Sequence, residues 1–136
     1  MANYTKFQQF VEDLAHGVHN FDSDTIKVAL SSAGNAPSAS DDAVLTDITT
    51  IAAPAVNSVT LTKSSSGQTS GTYKYIPNDL TMTASGAVGP FQYVIIYNDT
   101  AANDPLICYF DYGSEVTLAS GDTFKLDFGT ELFSLA

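Results

Sequence analysis

A chain of 136 residues fits one domain, 1–136, large enough for a core of its own. Fifteen acids against five lysines, with no arginine, give a formal net charge of -10, which excludes the electrostatic footprint of a nucleic-acid binder or of a protein drawn to anionic lipid. One cysteine excludes an internal disulfide, two histidines beside it exclude the common zinc sites, and no apolar run reaches the roughly 18 residues of a membrane span.

Met1 to Tyr4 lacks the basic start of a targeting signal, so synthesis and retention in a reducing cytoplasm are expected. Tyr4, Phe7, Phe10, Val11 and Leu14 then recur at three- and four-residue spacing, with Gln8, Gln9, Glu12 and Asp13 opposite. That period predicts an amphipathic helix over 4–16, with Asn3 as N-cap and Gly17 as the stop. His16 and His19 follow as an H-x-x-H pair. With no third ligand and no H-E-x-x-H pattern, they read as histidines at a helix C-terminus, where the dipole suits them.

Beyond Gly17 the period changes to two. Thr25 to Leu30 alternates as a strand, and Ser31 to Ser40 reads as a loop. Asp41 to Leu45 suits a short helical turn capped by Ser40. Val56 to Thr62 alternates again, Lys63 to Gly71 reads as a turn region, and Thr72 to Ile76 and Leu80 to Ala84 read as strands. Phe91 to Tyr97 is apolar on nearly both faces, as a covered central strand would be. Leu106 to Tyr112 answers it across the polar loop Asn98 to Pro105, which predicts a hairpin. Gly113-Ser114 reads as a turn before a short strand at Val116 to Leu118. Thr123 to Phe128 alternates, and Leu132 to Leu135 adds a last strand. Many short strands separated by turn residues predict a mainly β fold, an antiparallel β-sandwich of jelly-roll or Ig-like kind with one N-terminal helix outside the sheets. Phe91, Val94, Ile96, Ile107, Phe110, Phe124, Leu126 and Phe128 are its expected core.

Residues that could carry chemistry read mostly as structure. Cys108 lies in the apolar run Leu106 to Phe110 and is expected to be an inert core residue. Most acids sit in turns beside Gly, Ser or Asn, where Asp bonds its own backbone. Asn98, Asp99, Asn103 and Asp104 crowd oxygens into one loop but lack the spacing of a calcium loop, so no metal is expected. Neither a G-x-S-x-G elbow nor a glycine-rich phosphate cradle is present, so no catalytic site and no cofactor are expected, and an enzyme such as a cell-wall hydrolase is disfavoured. Ser and Thr make up roughly a fifth of the chain. Tyr73, Tyr75, Tyr93, Tyr97, Tyr109 and Tyr112 fall on strands, and tyrosine is favoured at interfaces. Phe7, Phe10 and Leu14 on the helix stripe, with Tyr73 and Tyr75, are therefore the candidate interface.

The stretch Tyr4 to Ala15 followed by Asp24 to Leu30 resembles the opening of a family of small tailed-bacteriophage virion structural proteins. So do Gly89 to Thr100, Asp104 to Ile107, Asp111 to Gly113 and Gly121 to Phe124. The resemblance is weakest from Ile51 to Gly71. It implies a virion component made in the bacterial host cytoplasm and does not by itself separate head from tail. A small acidic β domain with no enzyme motif suits a capsid decoration (cement) protein on the head surface, bound to the major capsid protein as a homotrimer, with no nucleic-acid or membrane partner. The alternative is a tail or fibre adhesion domain that binds a host-surface glycan through Tyr73, Tyr75 and the Asn98 to Asp104 loop.

Overall fold

The computed structural model describes residues 2–136. β1 (Asn3–Lys6) leads into α1 (Gln8–Ala15), and β2 (Ile26–Ser31) follows a loop. Two 3-10 turns, Ala33–Asn35 and Leu45–Asp47, precede β3 (Thr60–Leu61), β4 (Lys63–Thr69), β5 (Thr72–Pro77) and β6 (Leu80–Thr83). A long hairpin of β7 (Val88–Asn98) and β8 (Leu106–Leu118) comes next, then β9 (Thr123–Leu126) and β10 (Phe133–Leu135). The protein is mainly β, with antiparallel sheets and one α-helix, as its alternating pattern predicts.

The β7–β8 hairpin is the frame. It is flanked by β1 on the β8 side and by β2 and then β3 on the β7 side, in a five-stranded sheet of order β1-β8-β7-β2-β3. Val94, Ile95 and Ile96 are all fully buried. Because successive strand residues point to opposite faces, the sheet is covered on both sides there. Phe7 sets its ring 5.2 Å from Tyr109. Phe128 meets Phe110, the next residue along the strand and so on the other face, at 6.1 Å. The remaining strands form a three-stranded sheet, β10-β5-β4, and a two-stranded one, β6-β9. Phe133 ties the first of these to α1, with ring centroids 5.2 Å from Phe10 and 4.7 Å from Phe21.

Several expectations are corrected. The helix spans Gln8–Ala15 rather than 4–16, because Asn3–Lys6 pairs in unbroken register with β8, from Asn3↔Asp111 to Lys6↔Cys108. Pairing on a preformed strand edge satisfies this backbone better than one more helical turn would. Asn3 is thus no cap, and Phe7 occupies the cap position without a side-chain bond. The stop falls where expected: Gly17 takes φ +73°, with Val18 N bonding Asp13 O at 2.9 Å and Gly17 N bonding Leu14 O at 3.3 Å, the paired bonds of a Schellman motif.

Lys63 to Gly71 is a strand and a tight turn rather than a turn region. Ser70 and Gly71, with φ +52° and +84°, make the two-residue hairpin loop, and β4 pairs with β5 in regular register from Ser65 to Thr69, with a register shift between Lys63 and Ser65. Gly113-Ser114 does not end a strand. Residues 112–115 bulge from β8 opposite Gln92, with Gly113 at φ +76°. The helical turn expected over Asp41 to Leu45 lies at Leu45–Asp47 instead. Of the expected core, Phe91, Val94, Ile96, Ile107, Leu126 and Phe128 are buried, whereas Phe110 and Phe124 are only half-buried. Phe110 packs against Tyr4 on the edge strand β1, and Phe124 sits on a strand with a single partner.

Candidate interaction surface

Three of the five candidate interface residues are internal. Phe7, Phe10 and Tyr75 are 0%, 2% and 2% exposed. The helix stripe is therefore consumed by the chain's own core, and the expectation that part of it serves a neighbour is corrected for these side chains. Phe10 is enclosed by Phe21, His19 and Phe133, and Tyr75 packs between Phe21 and Phe133. Burial raises the Tyr75 hydroxyl to about 12, as expected of a phenol kept from water.

Leu14 and Tyr73 remain half-buried at the surface. Leu14 lies in an apolar groove of about 360 Å³ between α1 and β10, where Val11 and Leu135 are exposed. Val11 belongs to the sequence stripe but neighbours the buried Phe10 on the helix, so it turns outward. Leu135 carries no sequence signal beyond apolarity. Tyr73 borders a second hollow of about 500 Å³ with Asn20, Asp22 and Ser66, and its hydroxyl lies 2.6 Å from Ser66 Oγ.

The polar residues singled out by sequence are held in structural bonds. Asn98 is fully buried. Its Nδ2 donates to Asp24 Oδ2 at 2.7 Å and to His19 Nδ1 at 3.0 Å, while its Oδ1 accepts from the backbone N–H groups of Thr100 and Ala101. Accepting that bond at Nδ1 places the neutral His19 proton on Nε2. Burial lowers the affinity of His19 for a second proton, against the pull of Asp13 and Asp24. Asp99 pairs with Lys27 at 3.0 Å. The loop that crowds oxygens in sequence thus directs Asn98 inward and Asp99 to a lysine, and it does not converge on a cation-sized cage. Among the described residues, no three His, Cys, Asp or Glu side chains come together as metal ligands. His16 ends α1 as its C-cap. Cys108 is fully buried, and loss of hydration drives its thiol pKa far up.

Charge is distributed unevenly. Residues 48–78 hold Lys63 and Lys74 and no acid, so all fifteen carboxylates lie elsewhere, against the other three lysines. The β4–β5 hairpin lies within that acid-free stretch. Lys27, Lys63 and Lys125 each pair with an aspartate, whereas Lys74 has no carboxylate within 4.0 Å among the described residues. The opposite extreme is the loop end of the β7–β8 hairpin. There Val44 bridges to Pro105, Leu45 N bonds Asp104 O at 3.0 Å, and Asp47 accepts from the N–H groups of Ala43 and Val44. Asp47, Asp99 and Asp104 thus lie at that end, where Asp99 pairs with Lys27, and Asp41 and Asp42 directly precede Ala43, whose carbonyl accepts from Leu106 N.

Comparison of the chain with protein-family models, curated proteins and solved structures returns no match.

Proposed function

We propose that this chain is a bacteriophage virion structural protein, a capsid decoration or cement protein that binds the major capsid protein and stabilises the head shell from its outer surface. The resemblance of its opening, its β7–β8 hairpin and its Gly121 to Phe124 turn to small tailed-phage virion proteins supplies the setting. The observation that carries the proposal is the groove between α1 and β10, where Val11 and Leu135 stand 54% and 47% exposed on a chain of net charge -10. The groove is lined by Phe10, Val11, Leu14, Phe133 and Leu135, with Lys6 as its one charged residue, and exposed apolar surface of this kind favours a contact with another protein. In this proposal the three sheets form an antiparallel sandwich, the smaller two covering the five-stranded one, and the protein acts as a homotrimer over local axes of the shell. It takes no part in catalysis and needs no cofactor, nucleic acid or membrane.

Densitometry of purified virions on a denaturing gel tests the assignment. A copy number commensurate with the major capsid protein supports it. A copy number commensurate with tail or fibre proteins overturns it in favour of an adhesion domain for a host-surface glycan. That alternative is favoured by one observation, the half-buried Tyr73 bordering a 500 Å³ hollow with Asn20 and Asp22, an aromatic ring beside polar groups.

A further inference from the structure

We propose that the β4–β5 hairpin of one copy docks on the acidic end of the next copy, head to tail. Such a contact builds the oligomer proposed above and rests on that proposal. β4 is the outer strand of its sheet, and from Ser64 to Thr69 it carries no charge and no proline. An open strand edge is ordinarily blunted by charged side chains, proline or a bulge. Here those devices are confined to one end, at Lys63 and the register shift beside it. The remaining edge is available for pairing, and all of it but half-buried Ser66 is exposed.

The outward face of the hairpin fits the same conclusion. The register places Ser65 opposite Ile76, Gly67 opposite Lys74 and Thr69 opposite Thr72, while Tyr73 and Tyr75 point to the other side. These six residues, together with Gln68, line a hollow of about 620 Å³ whose one ionised group is the unpaired Lys74. A partner seated there meets hydroxyls, an aliphatic floor and one cation.

The charge distribution selects the occupant. Two chains of net charge -10 repel on approach, and salt screens that repulsion over about 8 Å under physiological conditions. Surfaces of locally opposite sign then favour and orient the association. The hairpin face that carries the unpaired Lys74 supplies one such surface, since Lys63 is already paired with Asp22, and the loop end bearing Asp41, Asp42, Asp47, Asp99 and Asp104 supplies the other. The two are different patches of one chain, so the contact is heterologous, and heterologous contacts close into rings when the rotation permits.

Sedimentation velocity from low to high salt tests this on the full chain, with circular dichroism confirming that each variant folds. At contact the locally opposite patches lie well within a Debye length and outweigh the net repulsion, so the wild type is expected to dissociate as salt rises. Lys74→Glu should weaken association by about tenfold or more, the size of one good charge pair. Asp41→Lys with Asp104→Lys should weaken it as well, and all three substitutions in one chain should restore it. Thr69→Lys and Thr69→Glu perturb one exposed strand position alike but should respectively tighten and loosen the assembly. An oligomer indifferent to both salt and Lys74→Glu overturns the proposal. So does an assembly that responds to Lys74→Glu but not to the acidic-end variant, which would mean that the hairpin pairs with itself or with another protein. A wild type that stays monomeric at all salts also overturns it. Cosedimentation of that monomer with shells lacking the protein separately decides whether capsid binding survives.

Discussion

Replacing Asn98 by Ala should be the most destabilising single polar substitution in this fold. Among the described residues, Asn98 is the one side chain that bonds three segments at once: the loop after α1 at His19, the turn before β2 at Asp24, and the start of its own loop at Thr100 and Ala101. Its bond to the Asp24 carboxylate is charge-assisted and contributes about 1.5–3 kcal/mol, and each of the neutral bonds contributes about 0.5–1.5 kcal/mol. Thr100 and Ala101 lie near enough to solvent to recover part of that from water, whereas His19 Nδ1 does not. The net loss should be about 3–5 kcal/mol, a fall of roughly 10–15 °C in thermal midpoint for a chain of this length. Urea unfolding followed by circular dichroism measures it as a lower midpoint at unchanged slope. Asn98→Asp separates the donor role from size, since a carboxylate at neutral pH cannot donate to Asp24 and repels it. That variant should lose at least as much at pH 7. A loss under about 1 kcal/mol for Asn98→Ala, or a wild-type midpoint for Asn98→Asp, would refute the reasoning.

Burial lowers the His19 pKa, so the unfolded chain takes up the proton more readily than the folded one. The contribution of His19 should therefore be complete above about pH 6.5 and decline as pH falls from there toward its folded pKa, and comparing the pH dependence of urea midpoints in wild type and His19→Gln checks it. Phe91→Ala should cost roughly 3–5 kcal/mol, and Phe124→Ala about half as much, because Phe91 is fully buried and Phe124 only half-buried; equal losses would contradict the observed facing. Cys108 should react with a thiol reagent only as fast as the protein unfolds, since its sulfur is fully buried and its thiolate disfavoured; rapid labelling of the folded protein would contradict that.

The parts of the fold legible in sequence were those whose partners did not need to be known. An unbroken apolar run at Phe91 to Tyr97 implies cover on both faces whatever supplies it, and Gly17 implies a helix stop by its own freedom at positive φ. Tyr4 was not legible in this way. Its spacing to Phe7 suits a helix, but the edge of β8, over a hundred residues later, pulls it into a strand. β4 has the composition of a loop and is ordered by pairing with β5, whose Tyr73 and Tyr75 anchor the hairpin; the informative residues were Ser70-Gly71, a two-residue turn signal. The interface residues failed for a related reason. Periodicity says that Phe7, Phe10 and Leu14 share a face, but not that Phe21, Tyr109 and Phe133 of the same chain cover most of it. The oxygens crowded at Asn98 to Asp104 give no hint of the inward partners of Asn98, because Asp24 and His19 lie 74 and 79 positions away.

Strand order also governs how the molecule forms during synthesis. β1 and β2, complete by Ser31, both pair onto the β7–β8 hairpin, which is complete only at Leu118. Closing such distant pairings is slow, because chain entropy is lost before any contact is gained. While the intervening residues are being made, the N-terminal strands have no edge to join. The folding nucleus is therefore expected in the hairpin, with β1 and β2 joining it only once Leu118 has been made.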